Sequence, residues 1–92
     1  MATVDEVLAE LAGGGTNFRC NEMRSLLGSL GFVVEKRQKG EHYTFTHPQL
    51  PEFHGAGFAG EHGRNGVVKR AYIGNIRRVI RQYEDELRRI YG

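Results

Sequence analysis

Apolar residues recur along this 92-residue chain with two different periods. Intervals of three and four residues, which are typical of helices with one buried face, occur near both ends of the chain. Strict alternation of apolar and polar residues, which is typical of half-buried strands, occurs in the middle. The pattern predicts the order helix, helix, strand, strand, strand, helix.

The first predicted helix covers residues 3–12, where Thr3 and Glu6 have the spacing of a capping box. Its apolar stripe consists of Val4, Val7, Leu8 and Leu11. Three glycines at 13–15 follow the helix, and a glycine run makes a flexible linker. One hypothesis is that this helix is an appendage on the main domain. The pattern leaves open whether it packs on the domain, swaps to a neighbouring molecule or moves freely.

A second helix is predicted at 21–30, and Gly31 has the position of a helix-ending glycine. Two strands follow at 32–38 and 41–46, the second of which ends before a proline. A third strand at 52–59 contains glycines that would bend it, so we expect it at an edge of the sheet. The next residues, 60–66, have no apolar anchor and predict a mobile loop.

The second strand has the clearest alternation. Tyr43 and Phe45 fall on one face, and His42, Thr44 and Thr46 fall on the other, because strand side chains alternate between the two faces. The aromatic residues favour the core. We therefore expect His42 to point to solvent.

The last predicted element is one helix of about five turns with a single buried face. That face consists of Ile73, Ile76, Ile80, Tyr83, Leu87 and Ile90. A coiled coil is the alternative, but fewer than three heptads are present, so we favour a helix on a sheet. The sequence predicts an α+β fold, in which helices cover one face of a three-stranded antiparallel sheet and the other face meets solvent. We assign 1–17 to the extra N-terminal helix and its linker, and 18–92 to the domain.

Composition narrows the class of protein. With 39% hydrophobic and 26% charged residues, the chain is typical of a soluble globular domain. No apolar run is long enough to span a bilayer, and the N-terminus lacks the blocks of a secretory signal, so we expect a cytoplasmic protein without membrane contact. Cys20 is the only cysteine, which excludes a disulfide within the chain and a thiolate metal cluster. The histidines lack the spacing of a zinc site.

Basic residues concentrate in the C-terminal third. Arg77, Arg78 and Arg81 lie on the predicted last helix, and arginine binds phosphate well in two-point contacts. A charged outer face of an amphipathic helix explains the same pattern without any ligand. Both interpretations remain open from the sequence.

The run K-G-E-H-Y-T-F-T-H-P at 39–48, with the L-L-x-x-L-G-F helix end before it and a basic helix after it, resembles HicA, the toxin of HicA and HicB toxin-antitoxin systems. The resemblance covers residues 18–91. It implies a double-stranded-RNA-binding-like αβββα domain. Glu41 is a departure, because the family usually has a small residue between the turn glycine and the histidine.

The resemblance implies an mRNA interferase, a small hydrolase that cuts messenger RNA without a metal or other cofactor and that a HicB-like antitoxin neutralises. Its catalytic histidine corresponds to His42. Lys36, Arg37, Lys39 and Gly40 at the turn, with the three arginines of the last helix, are the expected RNA-binding residues.

The chemistry of these residues suits phosphate. Cleavage of RNA through its own 2′-hydroxyl needs a base, an acid and positive charge near the phosphate, and histidine can act as base or acid near neutral pH. The second proton-transfer group is not identified; His54 and Glu41 are candidates. A non-catalytic RNA-binding module of the same fold is the main alternative, and a purely protein-binding domain is a third.

Overall fold

The structure is a computed structural model that describes residues 3–13, 18–37, 42–61 and 66–91. Their helices and strands are, in chain order, α1 Val4–Gly13, α2 Cys20–Gly28, β1 Val33–Lys36, β2 His42–Thr46, β3 Ala56–Ala59, α3 Arg70–Gln82 and α4 Glu84–Tyr91. The strands form one antiparallel sheet in the order β1-β2-β3, which confirms the predicted α+β class and puts β3 at an edge. Among these helices, none is long and apolar enough to cross a membrane.

The sheet has one covered face and one open face. Tyr43, Phe45 and Phe58 are buried on the covered face, where α2 packs against β1 and α3 packs against β3. On the other face His42 and Thr46 are exposed, and no described helix packs there. The alternation predicted for β2 is confirmed, because burying the aromatic rings removes the largest apolar area from water.

Helix α1 belongs to the same core as the rest of the chain. Val4, Val7 and Leu11 are at most 2% exposed, and α1 packs against α3 and α4. The capping box is present, since Thr3 N–H donates to Glu6 Oε1 (3.1 Å) and Glu6 N–H donates to Thr3 Oγ1 (3.2 Å). The structure thus answers the question that the glycine linker left open: α1 is packed, not a separate appendage.

The basic C-terminal stretch forms two helices, so the prediction of one continuous helix is wrong. The break is at Tyr83, which has φ −108° and ψ 20°. Its ring packs against Phe53, with 5.6 Å between ring centroids. After the break, Leu87 is part of the core, α4 packs against α1, and the Tyr91 ring lies 6.1 Å from the His47 ring, centroid to centroid. An apolar period alone cannot show such a break, because the apolar residues keep their spacing across it.

His47 is a buried polar residue, 5% exposed, that joins the end of α2 to the end of β2. Its Nε2 lies 2.8 Å from the Leu30 carbonyl oxygen, and its Nδ1 accepts the Gln49 N–H at 3.1 Å. A neutral ring with its proton on Nε2 satisfies both partners. The ring also packs edge-on against Phe32. His47 therefore has a structural role, in contrast to the exposed His42.

An ion pair ties the first helix to the last. Arg88 donates to both carboxylate oxygens of Asp5, at 2.9 and 2.7 Å, and also to Glu84. The hydrogen bonds from Arg88 lower the pKa of Asp5, and the hydrogen bonds to Asp5 and then Glu84 raise the pKa of Arg88 above its ordinary range. Solvent screens this pair, so we expect a small contribution to the free energy of unfolding.

We expect Asp5→Asn to lower the unfolding temperature slightly at pH 7 and to have no effect in strong acid. A lowered carboxyl pKa stabilises the fold above the ordinary value of 3.8, and this stabilisation is lost as the pH falls through the folded-state pKa. Thermal unfolding of both proteins from pH 7 to pH 2 measures the difference. Asp85→Asn, in the first turn of α4, is the control for a helix-terminal carboxylate. An Asp5→Asn difference that persists in acid would contradict the ion-pair explanation.

Candidate functional site

The open face of the sheet carries His42 at the start of β2, and Arg37 lies beside it. The β1–β2 register pairs Glu35 with Thr44 and Lys36 with Tyr43. The ladder continues one residue further, since Arg37 N–H donates to the His42 carbonyl oxygen at 2.7 Å. Directly opposed residues of an antiparallel pair share a face. Arg37 and His42 are therefore neighbours on the open face, and both are exposed.

Small residues border His42 on its other side. The β2–β3 register pairs His42 with Ala59 and Thr44 with Gly57. A side chain at position 57 would approach the Tyr43 carbonyl oxygen at 3.0 Å, which explains a glycine there. The two β3 residues on this side of His42 are therefore small; Ala59 is 2% exposed, whereas His42 itself is exposed.

The chain adds one more basic residue beyond β3. A bridge pairs Gly60 with Val68, and Lys69 N–H donates to the Ala59 carbonyl oxygen at 3.0 Å, so Lys69 is opposite Ala59. Val68 is 1% exposed, so it faces the core, and Lys69 as its extended neighbour faces the opposite way. These pairings align four residues across the strands, which we name the basic row: Arg37, His42, Ala59 and Lys69, of which Ala59 is 2% exposed and the other three are exposed.

Two carboxylates lie diagonally from His42. Glu35 is opposite Thr44, one pair along β1, and Glu61 follows Ala59 by two residues in a stretch that still pairs with Val67. Diagonal neighbours on one face of a sheet are about 7–8 Å apart, within reach of long side chains. Either carboxylate can exchange a proton with a substrate atom that His42 also contacts.

The sequence suggested His54 and Glu41 as candidates for the second proton-transfer group. His54 is exposed and precedes Ala59 by five residues, which corresponds to about 16 Å along an extended chain, so it does not share a phosphate with His42. Glu41 lies outside the described residues. The sequence did not single out Glu35 or Glu61, because strand register rather than sequence proximity brings them close to His42.

Lys36 is on the other side of the sheet from His42. Its partner in the register is Tyr43, which faces the helices and has the Arg24 guanidinium carbon 5.6 Å from its ring centroid. Alternation along β1 puts Arg37 with His42 and Lys36 with the helices. Of Lys36 and Arg37, both expected to bind RNA, only Arg37 lies beside His42 on the open face. Lys39 and Gly40, the remaining expected contacts at this turn, lie outside the described residues.

The three arginines of α3 are also separated from His42. Ile73, Ile76 and Ile80 turn α3 toward the covered face of the sheet, so its exposed residues Arg78 and Arg81 point away from the strands. Arg77 is half-buried, and its Nε is buried without a hydrogen-bond partner among the described residues. The structure does not bring Arg77, Arg78 and Arg81 into one site with His42.

Lys69 is a further residue near His42 that could not be singled out from the sequence. It follows the β-branched pair Val67 and Val68, which is a weak indication of an extended stretch before the last helix. The apolar pattern predicted a loop before that pair and the last helix after it. Only the pairing of this segment with the end of β3 shows that Lys69 belongs to the basic row with His42.

The cavities of the helical layer lie away from the basic row. Spaces of about 420 and 320 Å³ lie between α1 and α2, and Glu10 and Leu26 line both of them. Within the described part of the chain, no group of three histidine, cysteine or acidic side chains has the geometry to hold a metal ion. The basic row lines neither of these spaces, and exposed cationic side chains aligned across a sheet suit an extended polyanion.

Comparison with family models, with curated proteins and with solved structures finds no match to this chain. Membership of the HicA family stays a prediction from the residues quoted above.

Proposed function

We propose that this chain is a metal-independent endoribonuclease of the HicA type, which cuts messenger RNA in the cytoplasm and acts as the toxin of a toxin-antitoxin pair. One observation carries the proposal: an exposed histidine and an exposed arginine lie side by side on an uncovered sheet face, with small residues beside them. A histidine for proton transfer and a guanidinium for phosphate are the groups that RNA cleavage requires. The resemblance of residues 39–48 to HicA supports the same assignment.

The reaction uses the RNA's own 2′-hydroxyl. A base removes its proton, the 2′-oxygen attacks the adjacent phosphorus, and the bond from phosphorus to the 5′-oxygen breaks. The products are a 2′,3′-cyclic phosphate and a 5′-hydroxyl, which takes its proton from an acid. His42 performs one of these proton transfers, and Arg37 stabilises the negative charge that builds on the phosphate oxygens.

The second proton transfer needs a further group on the same face. Glu35 and Glu61 are the described carboxylates diagonal to His42. Each is exposed, and each can reach a phosphate oxygen bound beside His42. Single Glu35→Gln and Glu61→Gln variants separate them: we expect the variant that lacks the second proton-transfer group to lose one limb of the pH dependence of cleavage.

Induced expression in growing cells tests the proposal. We expect the wild-type chain to arrest growth and to deplete total messenger RNA, and the His42→Ala variant at the same protein level to do neither. Thr46→Ala is a matched control, because Thr46 is exposed on the same strand and face but four residues away. If wild type and His42→Ala are both harmless while folded, the proposal is wrong.

The partner in this proposal is a HicB-like antitoxin that covers the open face. Val33, an apolar residue that is 49% exposed, lies opposite Thr46 at the other end of this face and gives such a partner an apolar contact away from the basic row. Co-expression of the neighbouring gene product should restore growth, and it should protect the open face from solvent exchange.

A non-catalytic RNA-binding module is the second candidate, because Arg37 and Lys69 of the basic row would attract an RNA backbone even without cleavage. It predicts RNA that stays intact with the wild-type protein and binding that persists in the His42→Ala variant. Incubation of purified protein with labelled RNA, followed by both a binding assay and a denaturing gel, distinguishes the two functions.

A further inference from the structure

We propose that Lys69 is the second phosphate-binding group of this site and that, with Arg37, it holds an unpaired RNA strand across the sheet with the reacting phosphate at His42. The inference rests on the proposed function, because it concerns the substrate of that same face. Lys69 is 32 residues after Arg37 and 27 residues after His42 in the sequence, and only the pairing of Ala59 with Lys69 aligns them.

The backbone holds Lys69 in a fixed place. Its N–H donates to Ala59 at 3.0 Å, and its carbonyl oxygen accepts the Tyr72 N–H at 2.9 Å as α3 begins. The adjacent Val68 is buried in the core. Because both backbone groups and the preceding side chain are fixed, the lysine side chain starts from a defined point and loses less entropy on binding a phosphate.

The side chain of Lys69 lies on the same face of the sheet as the imidazole. Two strand spacings, together about 10 Å, separate the backbone of Lys69 from that of His42, and Ala59, which is 2% exposed, is the residue between them in the register. A lysine stem of four methylenes covers much of this distance, so the ammonium and the imidazole can contact one phosphate group or two consecutive ones. A larger residue at position 59 would stand between them.

The two cations differ in the contact they can make. Arg37 is directly beside His42 and has a planar fork for two oxygens of the reacting phosphate, whereas Lys69 is a point charge at the far side of Ala59. The strand that lies across both runs perpendicular to the β-strands, over a span of about 15 Å. Attack by the 2′-oxygen requires alignment with the leaving 5′-oxygen, which a paired A-form strand does not allow. The substrate is therefore unpaired RNA.

Salt dependence of binding tests this assignment. The probe is a single-stranded RNA of 12 nucleotides with 2′-O-methyl groups throughout, which binds but cannot be cleaved through the 2′-oxygen. We expect Lys69→Ala to weaken binding about tenfold at low salt. We also expect this variant to reduce the magnitude of the slope of the logarithm of the binding constant against the logarithm of the salt concentration by about 0.7, the value for one phosphate contact on a single strand.

Arg89→Ala is the matched control. It removes the same charge from an exposed position on α4, on the helical side of the sheet. Lys69→Arg keeps the charge and should preserve the wild-type slope, which a purely structural role for Lys69 would not explain. Thermal unfolding of all three variants should match the wild type, because the side chains concerned are exposed.

The outcomes separate this inference from the proposed function. If Lys69→Ala and Arg89→Ala have the same slope while the wild type cleaves RNA and His42→Ala does not, the Lys69 assignment is overturned and the enzyme stands. If the wild type neither binds nor cleaves the RNA, the proposed function itself fails. A second probe is the same strand annealed to its complement, and we expect wild type and Lys69→Ala to bind this duplex with equal affinity. If Lys69→Ala loses as much affinity for the duplex as for the single strand, the preference for unpaired RNA is overturned.

Discussion

Purified protein with His42→Ala is expected to cleave RNA between about 10² and 10⁴ times more slowly than the wild type, because one positioned proton-transfer group contributes that much to the rate. Binding of the 2′-O-methylated strand should change less than threefold, since Arg37 and Lys69 are untouched and attract the backbone. Rates measured under single-turnover conditions, at saturating protein, report the chemical step separately from binding.

Two further measurements define the role of His42. Thr46→Ala should cleave at the wild-type rate, because it alters the same strand and face without removing a group near the reacting phosphate. Wild-type cleavage should depend on pH, and the residual rate of His42→Ala should lack the limb of that dependence to which His42 contributes. An unchanged rate in His42→Ala would exclude His42 as the catalytic residue, and loss of both binding and cleavage would make it a binding residue only.

Gly31→Ala is expected to destabilise the fold by about 2 kcal/mol or more. Gly31 lies in the turn that follows α2 and has φ +85°, a left-handed conformation that costs other residues about 1–2 kcal/mol. An added Cβ would also overlap the Tyr91 hydroxyl and come within 2.9 Å of His47 Nε2, which is bonded to Leu30. For a domain of this size we expect the unfolding temperature to fall by about 10 °C or more.

Gly28→Ala is the matched control for that prediction. Gly28 is the last residue of α2, and a Cβ there meets nothing within 4 Å, so the same substitution three residues earlier should stabilise by up to about 1 kcal/mol. The double variant Gly31→Ala with Tyr91→Ala separates the two costs. If the double variant is nearly as stable as Tyr91→Ala alone, overlap of the new Cβ with the Tyr91 side chain accounts for most of the destabilisation. If the double variant is clearly less stable, the backbone strain and the contact with His47 account for most of it. Equal effects at positions 28 and 31 would contradict the explanation.

The fold was largely predictable because its elements are amphipathic. Alternation around Tyr43 and Phe45 predicted both the strand and the face that it buries, and the helix-ending role of Gly31 was visible from its position. The break at Tyr83 was not visible, since the apolar period continues through it. The position of α1 was also undecided, because an apolar stripe shows that a helix will bury a face without showing against which neighbour.

The site was predictable only in part. His42 on the open face followed from alternation within one strand, which is a local property. The sequence placed Lys36 and Arg37 together, yet adjacent strand residues point to opposite faces, and the register decides which one accompanies His42. Glu35, Glu61 and Lys69 are brought near His42 by hydrogen bonds between segments far apart in the chain.

By itself, the sequence determined the secondary structure classes, the buried face of β2 and the exposure of its histidine, because each depends on the period of apolar residues over a few positions. The tertiary structure alone decided which charged residues share that histidine's surface. Strand register and the bridge from Gly60 to Val68 arise from packing the whole core. They align Arg37, His42, Ala59 and Lys69, and they turn Lys36 and the α3 arginines to the other side of the sheet.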